Sequence, residues 1–110
     1  MNFARILSCF SMMEKTPNIV IFASGSGSNA ENIINWSKER KTYTVKGVLC
    51  NRKDAYVLTR AERLGIPHWT FTGAEFRNNT LLYNGKQTSL TAALANLETD
   101  YIILAGFLLK

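Results

Sequence analysis

Asn18-Ile19-Val20-Ile21-Phe22-Ala23-Ser24-Gly25-Ser26-Gly27-Ser28-Asn29 decides how this chain is read. Its first half is a short apolar run rich in β-branched residues, the pattern of a strand covered on both faces. The run enters Ser24-Gly25-Ser26-Gly27-Ser28-Asn29, and a helical pattern starts at Ala30. Strand, Gly-rich turn and helix start make an anion site. Glycines let the backbone turn sharply and approach a ligand closely, and the first N–H groups of a helix lack internal partners. Ser28 or Asn29 is the expected N-cap, and either side chain can donate to a phosphate oxygen. The plain alternative is a tight strand-to-helix turn with no ligand.

Three ligand classes compete for this loop. The phosphate loop G-x-x-x-x-G-K-[ST] needs a Lys, and none follows here, which excludes it. Gly25-Ser26-Gly27-Ser28-Asn29-Ala30 does fit the dinucleotide fingerprint G-x-G-x-x-[G/A]. That fingerprint wants an acidic residue at the end of the second strand. The chain offers Cys50-Asn51-Arg52-Lys53, which would suit only a 2′-phosphate, so a small NADP-binding Rossmann module is the alternative reading.

The third class rests on a resemblance. Ser24-Gly25-Ser26-Gly27-Ser28-Asn29 resembles the S-G-x-G-S-N phosphate loop of the phosphoribosylglycinamide formyltransferases (glycinamide ribonucleotide transformylases). Asn51-Arg52-Lys53-Asp54-Ala55, after the second strand, and Leu104-Ala105-Gly106-Phe107, after the last, match the same family in order and spacing. Related formyltransferases acting on methionyl-tRNA or on formyltetrahydrofolate share the fold but are expected to lack the G-S-N loop.

Outward from that loop, residues 30–41 read as a helix with Ala30, Ile33, Ile34 and Ser37 inward and Trp36 as half-buried cover. Residues 44–50 read as the second strand. Asp54 is the expected cap of a helix over 55–64, closed by Gly65 and stopped by Pro67. Residues 68–71 read as a third strand. The segment 72–84 is rich in turn formers, with the Asn84-Gly85 pair just at its end. A helix over 88–97 buries Leu90, Ala93, Leu94 and Leu97, and residues 100–105 read as the fourth strand. The order βαβαβαβ predicts an α/β fold, a Rossmann-like, mostly parallel sheet with right-handed crossovers and helices on both faces.

A length of 110 residues allows one domain with a modest core, and 46% hydrophobic content is ordinary. The net charge of +5 is spread along the chain rather than gathered on an aromatic-studded face. Nucleic-acid binding is therefore not expected, whereas anionic small substrates suit the charge. Cys9 and Cys50 are too few and too far apart for a metal site or disulfide framework, and a reducing cytoplasm is the expected compartment. No segment has the length of a membrane span. Ile6 to Met13 is too short and lacks a cleavage site for a signal peptide, so residues 1–16 read as a disordered N-terminal extension. His68, the single histidine, reads as structural or solvated.

The resemblance implies that residues 17–110 are the N-terminal part of a formyltransferase domain, ending after the fourth strand. It implies formyl transfer from 10-formyltetrahydrofolate to glycinamide ribonucleotide in purine biosynthesis. Gly27, Ser28 and Asn29 take the positions that hold the substrate phosphate. Leu108, Leu109 and Lys110 follow the A-G-F turn, where the family's folate-binding segment begins. Arg77 is the counterpart of an arginine near the folate tail. The family's oxyanion donors, in an N-I-H-P segment, and its later Asp have no counterpart in these 110 residues. No catalytic residue is assigned, and the chain alone is expected to be inactive. Arg52 and Lys53 read as solvated, and ordinary core is the competing reading of Leu108 and Leu109. The fourth strand is expected to expose an edge.

Overall fold

The computed structural model describes residues 16–108. β1 (Asn18–Ala23) is buried at every position, as its unbroken apolar run requires. On one side it pairs in parallel with β2 (Thr44–Cys50), on the other with β6 (Tyr101–Leu104), and β2 pairs with β3 (His68–Thr70). The order β3-β2-β1-β6 gives the expected parallel sheet. A register shift at Ile19/Val20 leaves Lys46 as the extra residue of β2.

Strand alternation divides the core in two. Ile19, Ile21 and Ala23 pack with α1 (Ser28–Arg40) and α2 (Tyr56–Arg63) through Ala30, Ile34, Val57 and Ala61. Val20 and Phe22 point the other way, onto Leu49, Phe71, Leu81, Leu90 and Ala93. The second layer comprises α3 (Gly73–Arg77), a hairpin of β4 (Thr80–Tyr83) and β5 (Lys86–Ser89), and α4 (Leu90–Asn96). Phe22 meets Phe107 edge-on at 5.4 Å, and Phe71 stacks on Phe76 at 5.6 Å. These rings anchor the turn after β6 to the core.

Several local expectations are corrected. α1 begins at Ser28, and its N-cap is Gly27 in the left-handed conformation (φ 82°, ψ 17°), not Ser28 or Asn29. The tight turn completes the cap geometry in the backbone one residue early, and no side chain caps this end. Asp54 does not cap α2 either. Ala55 holds the N-cap position, while Asp54 lies 3.7 Å from Arg52. Gly65 does close α2, with Gly65 N–H on the Glu62 carbonyl and Ile66 N–H on that of Ala61. Trp36 is 52% exposed, with the Arg40 guanidinium 4.1 Å from its ring centre.

The segment rich in turn formers contains a helix and a hairpin. Thr72 and Glu75 form a reciprocal capping box that starts α3. Asn84 and Gly85 both have positive φ (52° and 82°), the geometry of a two-residue hairpin turn. The last helix starts at Leu90 rather than residue 88, because Thr88 and Ser89 pair with Leu81 and Thr80. Ser89 then caps α4 by accepting from Ala92 N–H.

Among the described residues β6 forms the expected open edge of the sheet. Tyr101, Ile102 and Leu104 are 61%, 46% and 65% exposed. Among the described residues no helix is long and apolar enough to cross a membrane, and no cluster of His, Cys, Asp or Glu could hold a metal.

Candidate functional site

The carboxyl ends of β1, β2 and β6 meet on one rim, where parallel sheets place their ligand sites. A cleft of about 90 Å³ lies there, lined by Gly25 to Asn29 from the loop after β1 and by Ala105 and Gly106 from the turn after β6. Beside it a larger cleft of about 490 Å³ is lined by Ser24, Gly25, Asn51, Arg52, Gly73, Gly106 and Leu108.

Gly27 is the tightest point of the loop. A Cβ there would sit 2.5 Å from Val57 Cγ2 and 2.7 Å from the Val57 backbone. The φ of 82° independently disfavours any side chain. Only glycine lets the loop lie against α2 while α1 starts. Ser28 and Asn29 are the first helical residues and both are exposed. With the cap made by backbone, neither side chain is used for capping. The leading N–H groups of a 13-residue helix, a hydroxyl and an amide thus share one small cleft, which suits a compact anion.

A closed set of hydrogen bonds ties the three rim loops together. Ser24 Oγ donates to Asn51 Oδ1 at 2.7 Å, Asn51 Nδ2 donates to the Leu108 carbonyl at 2.7 Å, and Leu108 N–H donates back to Ser24 Oγ at 2.8 Å. Ser24 is buried, so satisfying its hydroxyl matters. The clasp fixes the backbone immediately after the A-G-F turn.

The loop is also held from α2. Val57 N–H donates to the Gly25 carbonyl at 3.1 Å, and Arg60 Nε donates to the Ser26 carbonyl at 2.7 Å. Arg60 Nη1 reaches Glu31 Oε1 at 2.9 Å, and Arg63 shares that carboxylate oxygen. The hydrogen bond from Arg60, with the charge of Arg63, holds the Glu31 carboxyl below its ordinary value of 4.5.

Gly27, Ser28 and Asn29 therefore come together in the small cleft, and Leu108 reaches the larger one, 69% exposed. Leu108 is not core. Leu109 and Lys110, like residues 1–15 and Cys9 among them, lie outside the described residues. Arg77 ends α3 exposed and lines neither cleft. Lys53 is exposed, as expected, whereas Arg52 is exposed yet borders the larger cleft. His68 Nδ1 lies 3.1 Å from the Ile66 carbonyl, a local structural contact. Cys50 is fully buried, which pushes its thiol pKa up. Ser24 and Asn51 as a clasp, and Arg60 with Glu31, escaped the sequence reading. Their partners stand 27 to 84 residues away, and no local pattern announces them.

Comparison with known proteins bears on this rim. Phosphoribosylglycinamide formyltransferase of Escherichia coli K12 is 34% identical over 92 residues, which cover 83% of this chain and 42% of that protein. The Bacillus subtilis 168 protein of the same name is 32% identical over 89 residues, covering 80% and 44%. Glycinamide ribonucleotide transformylase 1 from Geobacillus kaustophilus superposes with a TM-score of 0.67 at 27% identity, over 86% of this chain and 48% of that one. The chain thus spans less than half the length of these relatives. The family described as "Formyl transferase" matches residues 17–109, which include every element of the sheet and the loops of its rim. By that match, the chain belongs to the formyl transferase family.

Proposed function

We propose that this chain carries the substrate-phosphate side of a formyltransferase acting on glycinamide ribonucleotide, with 10-formyltetrahydrofolate as the donor, in cytoplasmic purine biosynthesis. In that reaction the substrate amine attacks the formyl carbon, the carbon–nitrogen bond to the folate breaks, and the proton lost by the amine is balanced by one taken up at the departing folate nitrogen. The contribution of the described residues is binding and orientation. The N–H groups of Gly27, Ser28 and Asn29, with the Ser28 hydroxyl and Asn29 amide, hold the phosphate. The helix dipole of α1 favours its negative charge. A phosphate anchored away from the reacting amine restricts the substrate's freedom, and that entropy contributes to lowering the barrier. The Ser24–Asn51 clasp sets the backbone at Leu108, leading into the proposed folate segment of Leu108, Leu109 and Lys110. Arg77 belongs to that proposal as a surface contact with the folate tail.

The observation that carries the reading is the cleft in which the left-handed Gly27, the start of α1 and the Gly106 turn converge. The names of the relatives agree with it. Titration of the 15N-labelled chain with glycinamide ribonucleotide tests it. The expected result is saturable shifts of the Gly27, Ser28 and Asn29 amides, reproduced by ribose 5-phosphate. Binding of NADPH with no response to either ribose phosphate would replace this reading with a dinucleotide module.

A further inference from the structure

Two successive carbonyls of the Gly-rich loop are bound by α2, and the second is bound by a side chain. Val57 N–H takes the Gly25 carbonyl, and Arg60 Nε takes the Ser26 carbonyl at 2.7 Å. Among the described residues no peptide bond is cis. In a trans peptide the C=O and N–H vectors are opposed. A carbonyl turned toward α2 therefore turns the following N–H away from it. The amides concerned are those of Ser26 and Gly27. In the sheet order β3-β2-β1-β6, away from α2 is the β6 side, where Ala105 and Gly106 complete the small cleft.

Arg60 is itself held on several sides. Its Nη1 meets Glu31 at 2.9 Å, its guanidinium lies 4.9 Å from the centre of the Tyr56 ring, and its side chain is only 23% exposed. Glu31 sits in the first turn of α1, so one guanidinium bridges the loop before the helix and the helix's own first turn. A freely solvated arginine would impose no such geometry. A planar fork fixed at both ends does.

We propose that Arg60 is a positioning residue of the anion site, turning the Ser26–Gly27 peptide so that its N–H faces the bound phosphate, with Glu31 locking the guanidinium in place. The inference rests on the phosphate-binding reading of the loop. It separates from a simpler role, in which Arg60 merely adds positive charge near an anion. Charge alone predicts that lysine replaces arginine without loss. It also predicts that removing Glu31, a nearby negative charge, tightens binding. Positioning predicts the opposite in both cases, because lysine has no Nε–H in the fork and the guanidinium loses its lock without Glu31.

The test uses the 110-residue chain and its Arg60→Ala, Arg60→Lys and Glu31→Ala variants, titrated with ribose 5-phosphate and followed at the backbone amides. Both Arg60 variants are expected to weaken binding about tenfold, the scale of a charge-assisted hydrogen bond. Glu31→Ala is expected to weaken it severalfold, with the Gly27 amide shifted already in the free protein. Thermal unfolding of each variant runs alongside. Melting temperatures that fall while affinities stay unchanged would make Arg60 merely structural and overturn the proposal. So would full rescue by lysine, or tighter binding by Glu31→Ala, and both would leave the phosphate reading intact. Should Arg60→Ala fail to fold, the lysine and Glu31 variants decide the matter by these opposite signs. Absence of ribose 5-phosphate binding by the parent chain would overturn the phosphate reading, and the proposal with it.

Discussion

Replacing Gly27 by alanine should be among the most damaging single-methyl changes available to this chain. Two independent penalties combine. A non-glycine residue at φ 82° is disfavoured by roughly 1–2 kcal/mol. The added Cβ would lie 2.5, 2.6 and 2.7 Å from Val57 Cγ2, Cβ and Cα, and the last is backbone that no rotamer change can clear. Forcing α2 away from the loop costs about 1–3 kcal/mol, as for an overfilled core. Together the expected loss is about 2–5 kcal/mol, or at least ~10 °C in melting temperature for a domain of this size. Two control substitutions separate the terms. Gly85→Ala has the same φ of 82° with nothing within 4 Å, so it should show the backbone penalty alone. Gly25→Ala meets nothing within 4 Å and has no positive φ, so it should stay within about 0.5 kcal/mol of the parent. Thermal unfolding followed by circular dichroism gives the ranking directly. If Gly27→Ala proves no worse than Gly85→Ala, the contact with Val57 does not restrict the loop and the argument from close approach fails. Val57→Ala should not rescue Gly27→Ala, since it removes Cγ2 but leaves Cβ and Cα in place.

Further outcomes follow from the same geometry. Glu31 has a lowered carboxyl pKa, so its stabilisation is present above 4.5 and is lost as pH falls through the lower folded value. Urea midpoints of Glu31→Gln between about pH 3 and 6 should therefore depend less on pH than the parent's; an unchanged slope would contradict the pairing. Asn51→Ala breaks the clasp and should destabilise by about 1–2 kcal/mol. Faster hydrogen exchange at the Leu108 amide is the accompanying sign, and unaltered exchange would show that the clasp does not hold that segment. The apolar edge at Tyr101, Ile102 and Leu104 should drive concentration-dependent self-association. Ile102→Lys should suppress it in sedimentation equilibrium, and equal association by the variant would place the contact elsewhere.

The parallel sheet was legible because its strands are dense in apolar, β-branched residues and alternate with helical stretches. Ile19 to Phe22 admits no other reading once both faces are covered. The small cleft was legible for a related reason: the glycines that shape it are adjacent in sequence. The hairpin was not. β5, Lys86–Ser89, carries no large apolar residue, and β4 alternates a buried Leu81 with an exposed Leu82 over only four residues. Asn84-Gly85 announced a turn without announcing strands. The cap of α1 falls before both expected residues: Ser28 and Asn29 are good capping types, whereas backbone geometry at Gly27 takes that role. Arg60 was silent because its partner carbonyl lies 34 residues earlier and any polar residue on α2 looks the same in a sequence.

The clasp at Ser24, Asn51 and Leu108 also sets an order of events. β1 and β2 can pair as soon as the chain reaches Cys50, with α1 as a local connection between them. β6 must return across the whole intervening chain. Asn18 and Asp100, 82 residues apart, exchange hydrogen bonds at its start, and Ser24 meets Leu108 across 84 residues at its end. Closing a loop of that length carries roughly 4 kcal/mol of chain entropy before any contact compensates. During vectorial synthesis β6 is also made after β1, β2 and β3, the other strands of this sheet. The three loops of the rim thus become one surface only when β6 docks. The cleft therefore forms no earlier than the docking of β6, and a chain caught before that step would present the glycine loop without its opposing wall.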